Sequence, residues 1–270
     1  MKIFDAIKVN KQIDRIPILK EISFSINKGE RIAITGHNGS GKSSLLKLIG
    51  GMYEPSSGRV IKKALKIAYV PEHFPENIRF RLIEYLVMIG KMSGKREEIL
   101  LERITNYAEL FAIKEFLHTP LKSCSKGTKQ KAGILQALLL EAEVLLLDEP
   151  MTGLDEKSQI ELMKQLNSFS SKITLVFTVH DSLLIDGLAN RVITMENGRI
   201  IEDRLNDKKE EYKVITASAN VKLLSDIPCL SMNHITESIV EMTVLAKDSD
   251  QVLIQLLKKG CSILELKEKR

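Results

Sequence analysis

The stretch Gly36-His37-Asn38-Gly39-Ser40-Gly41-Lys42-Ser43 decides the fold. Before it, Arg31-Ile32-Ala33-Ile34-Thr35 has the composition of a short buried strand. After it, Ser43 to Ile49 carries the apolar spacing of a helix that Gly50-Gly51 ends. The octapeptide fits the phosphate-binding loop pattern GxxxxGK[ST], and it falls between a strand and a helix, where that loop works. Glycines let backbone N–H groups turn inward around phosphate oxygens, and the following helix offers its positive N-terminus. Lys42 is placed to neutralise phosphate charge and the Ser43 hydroxyl to ligate Mg²⁺. Gly36, His37, Asn38, Gly39, Ser40, Gly41, Lys42, Ser43 and Ser44 are therefore the candidate nucleotide-binding residues, with His37 at a variable position of the pattern.

Outward from the loop, strands alternate with helices. Ile22 to Ile26 alternates with the period of a half-buried strand, Pro55 to Gly58 is a turn before Val60, and Lys66 to Val70 is another short strand. From about Pro75 to Leu140 the spacing turns helical: Leu82, Tyr85, Leu86 and Ile89 share one face, and Leu100, Ile104, Tyr107 and Leu110-Phe111 another. The α/β pattern then resumes. Val144-Leu145-Leu146-Leu147 is apolar at every residue, as a central parallel strand covered on both faces requires. A helix over Glu156 to Phe169 leads to a strand over Ile173 to Val179, and Asn197-Gly198 joins two strands in a tight hairpin. The expected fold class is α/β, a phosphate-loop NTPase with a helical subdomain at about 75–140, occupying residues 1–205. A small α+β unit follows at 206–270, with a polar linker expected around Asp203 to Glu211. Its expected elements are strands at Tyr212–Ala217, Ser238–Leu245 and Cys261–Leu266, and a helix at Ser249–Lys259 with Gly260 past its end.

Asp148-Glu149 ends the apolar strand, which is expected beside the loop's own strand. An acid there can hold Mg²⁺, and the adjacent Glu149 can act as general base toward water.

These residues carry a family resemblance. In order and spacing the chain resembles the nucleotide-binding subunit of an ABC transporter. Cys124-Ser125-Lys126-Gly127-Thr128 stands about twenty residues ahead of Leu145-Leu146-Leu147-Asp148-Glu149-Pro150, in the place of the family's Leu-Ser-Gly-Gly-Gln signature. Thr152-Gly153-Leu154-Asp155 resembles the D-loop, His180 the switch histidine, and Tyr69-Val70-Pro71-Glu72 stands where the Q-loop belongs. The resemblance covers about residues 1–203. It implies two cassettes head to tail, each ATP held between the phosphate loop of one and Ser125 and Gly127 of the other. It further implies Glu149 as base, His180 on the γ-phosphate, Asp155 as the D-loop acid, and Mg²⁺ on Ser43 and Asp148. Glu72 replaces the family's Gln, which also makes it a candidate Mg²⁺ neighbour. The signature keeps its Ser and second Gly but has Lys126 and Thr128 where Gly and Gln are expected, and Ile13 stands where an adenine-stacking aromatic belongs.

Composition narrows the function classes. Of 270 residues, 44% are hydrophobic and 28% charged; 40 Lys+Arg against 35 Asp+Glu leave +5 with no dense basic tract. That, with aromatics at 5% and no Trp, fits a nucleic-acid binder poorly. Three scattered Cys (124, 229 and 261) suit neither a disulfide framework nor a zinc site. No secretory leader opens the chain, and its longest apolar stretch, Gly133 to Leu147, holds Glu141 and Glu143 and is too short to span a bilayer. The expectation is a cytoplasmic chain, peripheral at the inner face of the cell membrane. It would power a separately encoded permease, an exporter, through ATP-driven dimerisation with a second cassette, like or unlike itself. Phe74, Phe80 and Tyr85 are candidate contacts to that permease. The alternative is a non-transport ABC ATPase acting as a soluble regulator. Repair and chromosome ATPases need a long coiled coil, and kinases and GTPases lack the signature helix.

Overall fold

The computed structural model describes residues 1–169, 173–179, 182–206, 212–218, 224, 227–236 and 238–269. The chain divides into two compact units, Met1–Asn206 and Asp207–Arg270.

The first unit is built on a six-stranded sheet. Its strands are β3 (Arg31–Thr35), β5 (Ile67–Val70), β6 (Val144–Leu147), β7 (Thr174–Thr178), β8 (Arg191–Glu196) and β9 (Arg199–Leu205), in spatial order β5-β6-β7-β3-β8-β9. Five are parallel, and β9 returns antiparallel through the Asn197-Gly198 turn, where both residues have positive φ (49° and 80°) as a two-residue hairpin demands. The strands are continuously apolar because both faces are covered. Ile32, Ile34, Val144, Leu146 and Val176 point into one core, while Ala33, Leu145, Leu147, Leu175 and Phe177 point into the other.

The first core is closed by α1 (Lys42–Ile49) and a three-stranded antiparallel sheet of β1 (Lys2–Ile13), β2 (Ile16–Asn27) and β4 (Ser57–Lys62). The second is closed by α2 (Leu82–Lys91), α3 (Glu97–Leu110), α4 (Lys126–Leu139), α5 (Glu156–Ser168) and α6 (Ser182–Leu188). The expected helical block is present, with Leu82, Leu86, Leu100, Ile104 and Phe111 all buried.

Three expectations need correction. β7 lies between β3 and β6, so the Asp148-Glu149 strand is not the immediate neighbour of the loop strand. The segment from Asp203 is not yet a linker: β9 runs on to Leu205 as an edge strand, its charged residues solvated. Phe74 is no surface contact. It is buried, its ring edge-on to Tyr85 at 5.6 Å, and Tyr85 donates a hydrogen bond to Gln136 Oε1. Phe80 is exposed.

The second unit is a four-stranded antiparallel sheet in the order β11-β12-β10-β13, formed by β10 (Tyr212–Ser218), β11 (Ser231–His234), β12 (Ile239–Leu245) and β13 (Ser262–Lys269). Helix α7 (Ser249–Lys258) packs Val252 and Leu256 against Ile215, Val240, Met242 and Val244. Gly260 ends the helix at φ 76°. Strand β11, short and polar, was not anticipated from the sequence.

No helix among the described residues is long and apolar enough to cross a membrane.

Candidate functional site

The site gathers at the carboxyl ends of β3, β6 and β7, the edge at which open α/β sheets bind ligands. The loop 36–41 leaves β3 and turns into α1 at Lys42. Gly36 is held at φ 139°, and a Cβ there would lie 2.2 Å from the Met195 carbonyl oxygen, so only glycine lets the loop pass this close to β8. The hairpin turn buttresses the loop from behind: Gly198 N–H donates to the Ser40 carbonyl (3.0 Å) and Lys20 N–H to the Gly198 carbonyl (2.8 Å). His37 and Asn38 are exposed at the loop's tip.

Lys42 is buried to 5% exposure, and its ammonium donates to the carbonyls of Gly36 (2.9 Å) and His37 (3.2 Å). The same Nζ lies 4.0 Å from Glu149 Oε1. The Ser43 hydroxyl donates to Asp148 Oδ1 at 3.0 Å. Loop lysine, loop serine and both acids of the β6 end therefore converge, although β7 separates their strands.

Two residues to which no motif assigns a role of their own complete this cluster. Thr178, the last residue of β7 and fully buried, donates to Asp148 Oδ1 (2.8 Å) and accepts the Glu149 N–H (2.8 Å). Tyr69, on β5, donates to Asp148 Oδ2 at 3.1 Å. Burial, and then the Asp148 carboxylate beside it, push the Tyr69 phenol well above its ordinary pKa, which keeps it a donor. Thr178 belongs to no motif, and Tyr69 only opens the stretch that stands in the Q-loop's place; a threonine or tyrosine in a strand reads as an ordinary β-former.

Glu149 has φ 46°, in the left-handed region that costs a side-chain-bearing residue about 1–3 kcal/mol. Its carboxylate also accepts from the Thr152 hydroxyl (3.4 Å). Glu72 is half-buried, with its carboxylate 3.7 Å from His73 Nδ1; it is Tyr69 that reaches Asp148 from β5. His180 lies outside the described residues.

The signature segment opens α4. Ser125 is its N-cap, accepting from Thr128 N–H (3.1 Å) and sharing a hydrogen bond with the Thr128 hydroxyl (2.9 Å). Gly127 packs on the D-loop, where a Cβ would meet the Gly153 carbonyl oxygen at 2.9 Å. Asp155 caps α5 by accepting from Ser158 N–H (3.0 Å) and receives Lys131 Nζ at 2.7 Å. The Lys131 hydrogen bond, then the Ser158 N–H, hold the Asp155 carboxyl well below the usual carboxylate range. Within this chain, signature and D-loop thus form one packed group. Among the described residues no hydrogen bond or ion pair joins Ser125 to the loop 36–43. Cys124 is buried, with Sγ 3.6 Å from the Pro120 carbonyl, and burial raises its thiol pKa, the opposite of a reactive cysteine.

The residues fit a magnesium nucleotide. Ser40 Oγ is buried in the loop with no partner among the described residues, and the hydroxyl and carboxylate oxygens of Ser43 and Asp148 suit a hard, oxygen-seeking cation.

Comparison with known proteins identifies the family. Residues 19–152 match the family model described as ABC transporter. The chain is 31% identical over 229 residues to an ABC transporter ATP-binding protein of Streptococcus pneumoniae, covering 80% of this chain and 41% of that longer relative. It is 26% identical over 266 residues to the uncharacterized ABC transporter ATP-binding protein YxlF of Bacillus subtilis, covering 93% and 90% of the two chains. A solved structure described as the ATP binding subunit of an ABC transporter superposes with a TM-score of 0.68 at 25% identity, over 76% of this chain and 90% of that one. The chain belongs to the ABC transporter ATP-binding family, whose cassettes bind and hydrolyse ATP.

Proposed function

We propose that this chain is the ATP-hydrolysing subunit of a membrane ABC transporter, peripheral at the cytoplasmic face and driving a separately encoded permease. One observation carries the chemistry: the loop meets both acids, Ser43 hydrogen-bonding Asp148 at 3.0 Å and Lys42 standing 4.0 Å from Glu149. In this reading the loop 36–44 holds the triphosphate, and Lys42 turns from its own loop carbonyls to the phosphate oxygens. Ser43 and Asp148 would hold Mg²⁺, which when bound neutralises phosphate charge. Glu149 takes a proton from the attacking water. His180 orients the γ-phosphate, and Ser125 and Gly127 of a second cassette close over it from across the dimer, the D-loop acid Asp155 holding its own signature helix in place.

ATP binding then closes the dimer and hydrolysis opens it, the cycle a permease can use. Export is the direction we assign, by analogy with bacterial exporter ATPases that carry an appended C-terminal unit. Substrate choice would rest with the permease.

The test is affinity purification of tagged Glu149→Gln from gently solubilised membranes with Mg·ATP, with partners identified by mass spectrometry. A stoichiometric polytopic partner is expected, and transport by the reconstituted pair reads the direction. Recovery of soluble partners alone would move the cassette to a regulatory role. In vitro, Lys42→Ala should lose ATP binding while Glu149→Gln keeps it and turns over slowly; wild-type turnover in Glu149→Gln would remove the base assignment.

A further inference from the structure

Strand β13 (Ser262–Lys269) is an edge: among the described residues it pairs only with β10. An open edge of eight residues is a template for another strand. Two of its leucines, Leu264 and Leu266, are 53% and 43% exposed. Leu264 is the extra residue of a bulge between the Thr216 and Ala217 pairings, but from Glu265 onward the register is regular, with Glu265 opposite Thr216, Leu266 opposite Ile215 and Lys267 opposite Val214. Leu266 therefore shares the face of Ile215, which is fully buried under α7, and stands at the uncovered margin of that core. Glu265 and Lys267 share the opposite face and pair with each other at 2.8 Å while both remain solvated.

We propose that β13 pairs antiparallel with β13 of a second copy of this chain, centred on Leu266. Facing residues in an antiparallel pair point to the same side of the sheet, so a two-fold pairing of identical strands must centre on a residue, not between two. Centring on Glu265 sets it against its own copy, and centring on Lys267 does the same for lysine; like charges directly opposite are destabilising. Centring on Leu266 sets Glu265 opposite Lys267 of the second copy, and the reverse on the other side of the axis. It also sets Leu266 against its own copy, joining the cores under the two α7 helices. This self-complementarity of Glu265-Leu266-Lys267 under a two-fold axis is what selects a second copy as the occupant. The contact is distinct from the nucleotide-dependent closure proposed above and needs no ATP.

The test is sedimentation equilibrium of the full chain without nucleotide and with EDTA, so that ATP-driven closure cannot contribute. The wild type should show a reversible dimer. Glu265→Lys turns both attractive pairs repulsive, and so does Lys267→Glu; each alone should weaken dimerisation by about tenfold or more. An equimolar mixture of these two variants should dimerise again, because every facing pair then carries opposite charges. The double variant Glu265→Lys/Lys267→Glu should match the wild type, which separates charge pairing from any loss of fold. A monomeric wild type at the highest soluble concentration, single variants that dimerise as the wild type does, or a mixture no tighter than its components would each overturn the proposal.

Discussion

Thr178→Val tests whether the buried hydroxyl at the end of β7 organises Asp148 and the proposed base Glu149. Valine keeps the shape of the side chain and its preference for strands, so the change removes one oxygen and leaves no cavity. That oxygen donates to Asp148 Oδ1 at 2.8 Å and accepts the Glu149 N–H at 2.8 Å. A buried N–H left without an acceptor costs about 1–3 kcal/mol, and a hydrogen bond to a carboxylate contributes about 1.5–3 kcal/mol. The two do not simply add. Glu149 sits at φ 46°, and once its N–H is released the residue can relax, recovering about 1 kcal/mol or more of backbone strain. The net loss of stability should therefore be about 2 kcal/mol, read as a shift in a denaturant unfolding curve.

The larger effect falls on turnover. A relaxed Glu149 backbone moves the carboxylate, and misplacing a catalytic group by about 1 Å can cost about 100-fold in rate. Phosphate release at saturating Mg·ATP should fall by that order, about 100-fold, while ATP affinity stays close to wild type, since Lys42 and the loop 36–41 are untouched. Thr178→Ser restores the oxygen and should recover most of the rate. Wild-type turnover in Thr178→Val would refute the reasoning, and so would a serine variant as slow as the valine one.

Other outcomes follow from the same geometry. Tyr69→Phe removes the donor to Asp148 Oδ2 and should raise the Mg²⁺ concentration needed for half-maximal activity; direct Mn²⁺ binding followed by electron paramagnetic resonance should weaken in parallel, and unchanged affinity would leave Tyr69 a packing residue. Glu72→Gln restores the family's residue and should raise turnover; no change would assign Glu72 to the surface with His73. For Lys131→Met the sign is fixed by Asp155, whose pKa is depressed in the fold by Lys131 first. The pair's contribution is present above the ordinary Asp value of about 3.9 and is lost as pH falls toward the lower folded value, so the stability gap between variant and wild type should shrink on acidification below about pH 4. A gap constant from pH 7 into that range, by denaturant unfolding, would show that the ion pair is not its source.

Much of the first unit was legible because its physics is local. The loop pattern, its strand and its helix are contiguous, and Val144 to Leu147 is apolar at every position because alternate residues enter two different cores. What escaped reading depends on contacts distant in sequence. Nothing in Ile173–Val179 announces that β7 inserts between β3 and β6, and without that order Thr178 is one more β-branched residue. Strand β1 hid for another reason: register shifts between Lys2 and Gln12 break the period of two that marks a strand. In β9, Asp203 and Arg204 looked like linker because an edge strand with little buried area need not be apolar. Phe74 looked like a surface aromatic, yet it fills the space beside Tyr85 and Gly133 in the helical core.

The two adjacent acids illustrate how a motif leaves its division of labour unstated. Asp148 and Glu149 are the same chemistry one residue apart, and it is the family resemblance that implies Mg²⁺ on Asp148 and the base at Glu149. The fold separates them. Asp148 is 3% exposed and takes three hydroxyl donors, from Ser43, Thr178 and Tyr69, so both its oxygens are committed and its position is fixed. A carboxylate held that way suits a cation, which needs oriented oxygens and no exchange of protons. The backbone of Glu149 is turned by its positive φ, and its carboxylate meets the Thr152 hydroxyl at the longer distance of 3.4 Å and the Lys42 ammonium at 4.0 Å. In the proposed mechanism Glu149, and not the thrice-bonded Asp148, is the acid that takes the proton from water. Thr178 bonds both acids at once, Asp148 by its side chain and Glu149 by its backbone. The proposed division, base at Glu149 and cation at Asp148, is therefore tested most directly at one hydroxyl of the neighbouring strand.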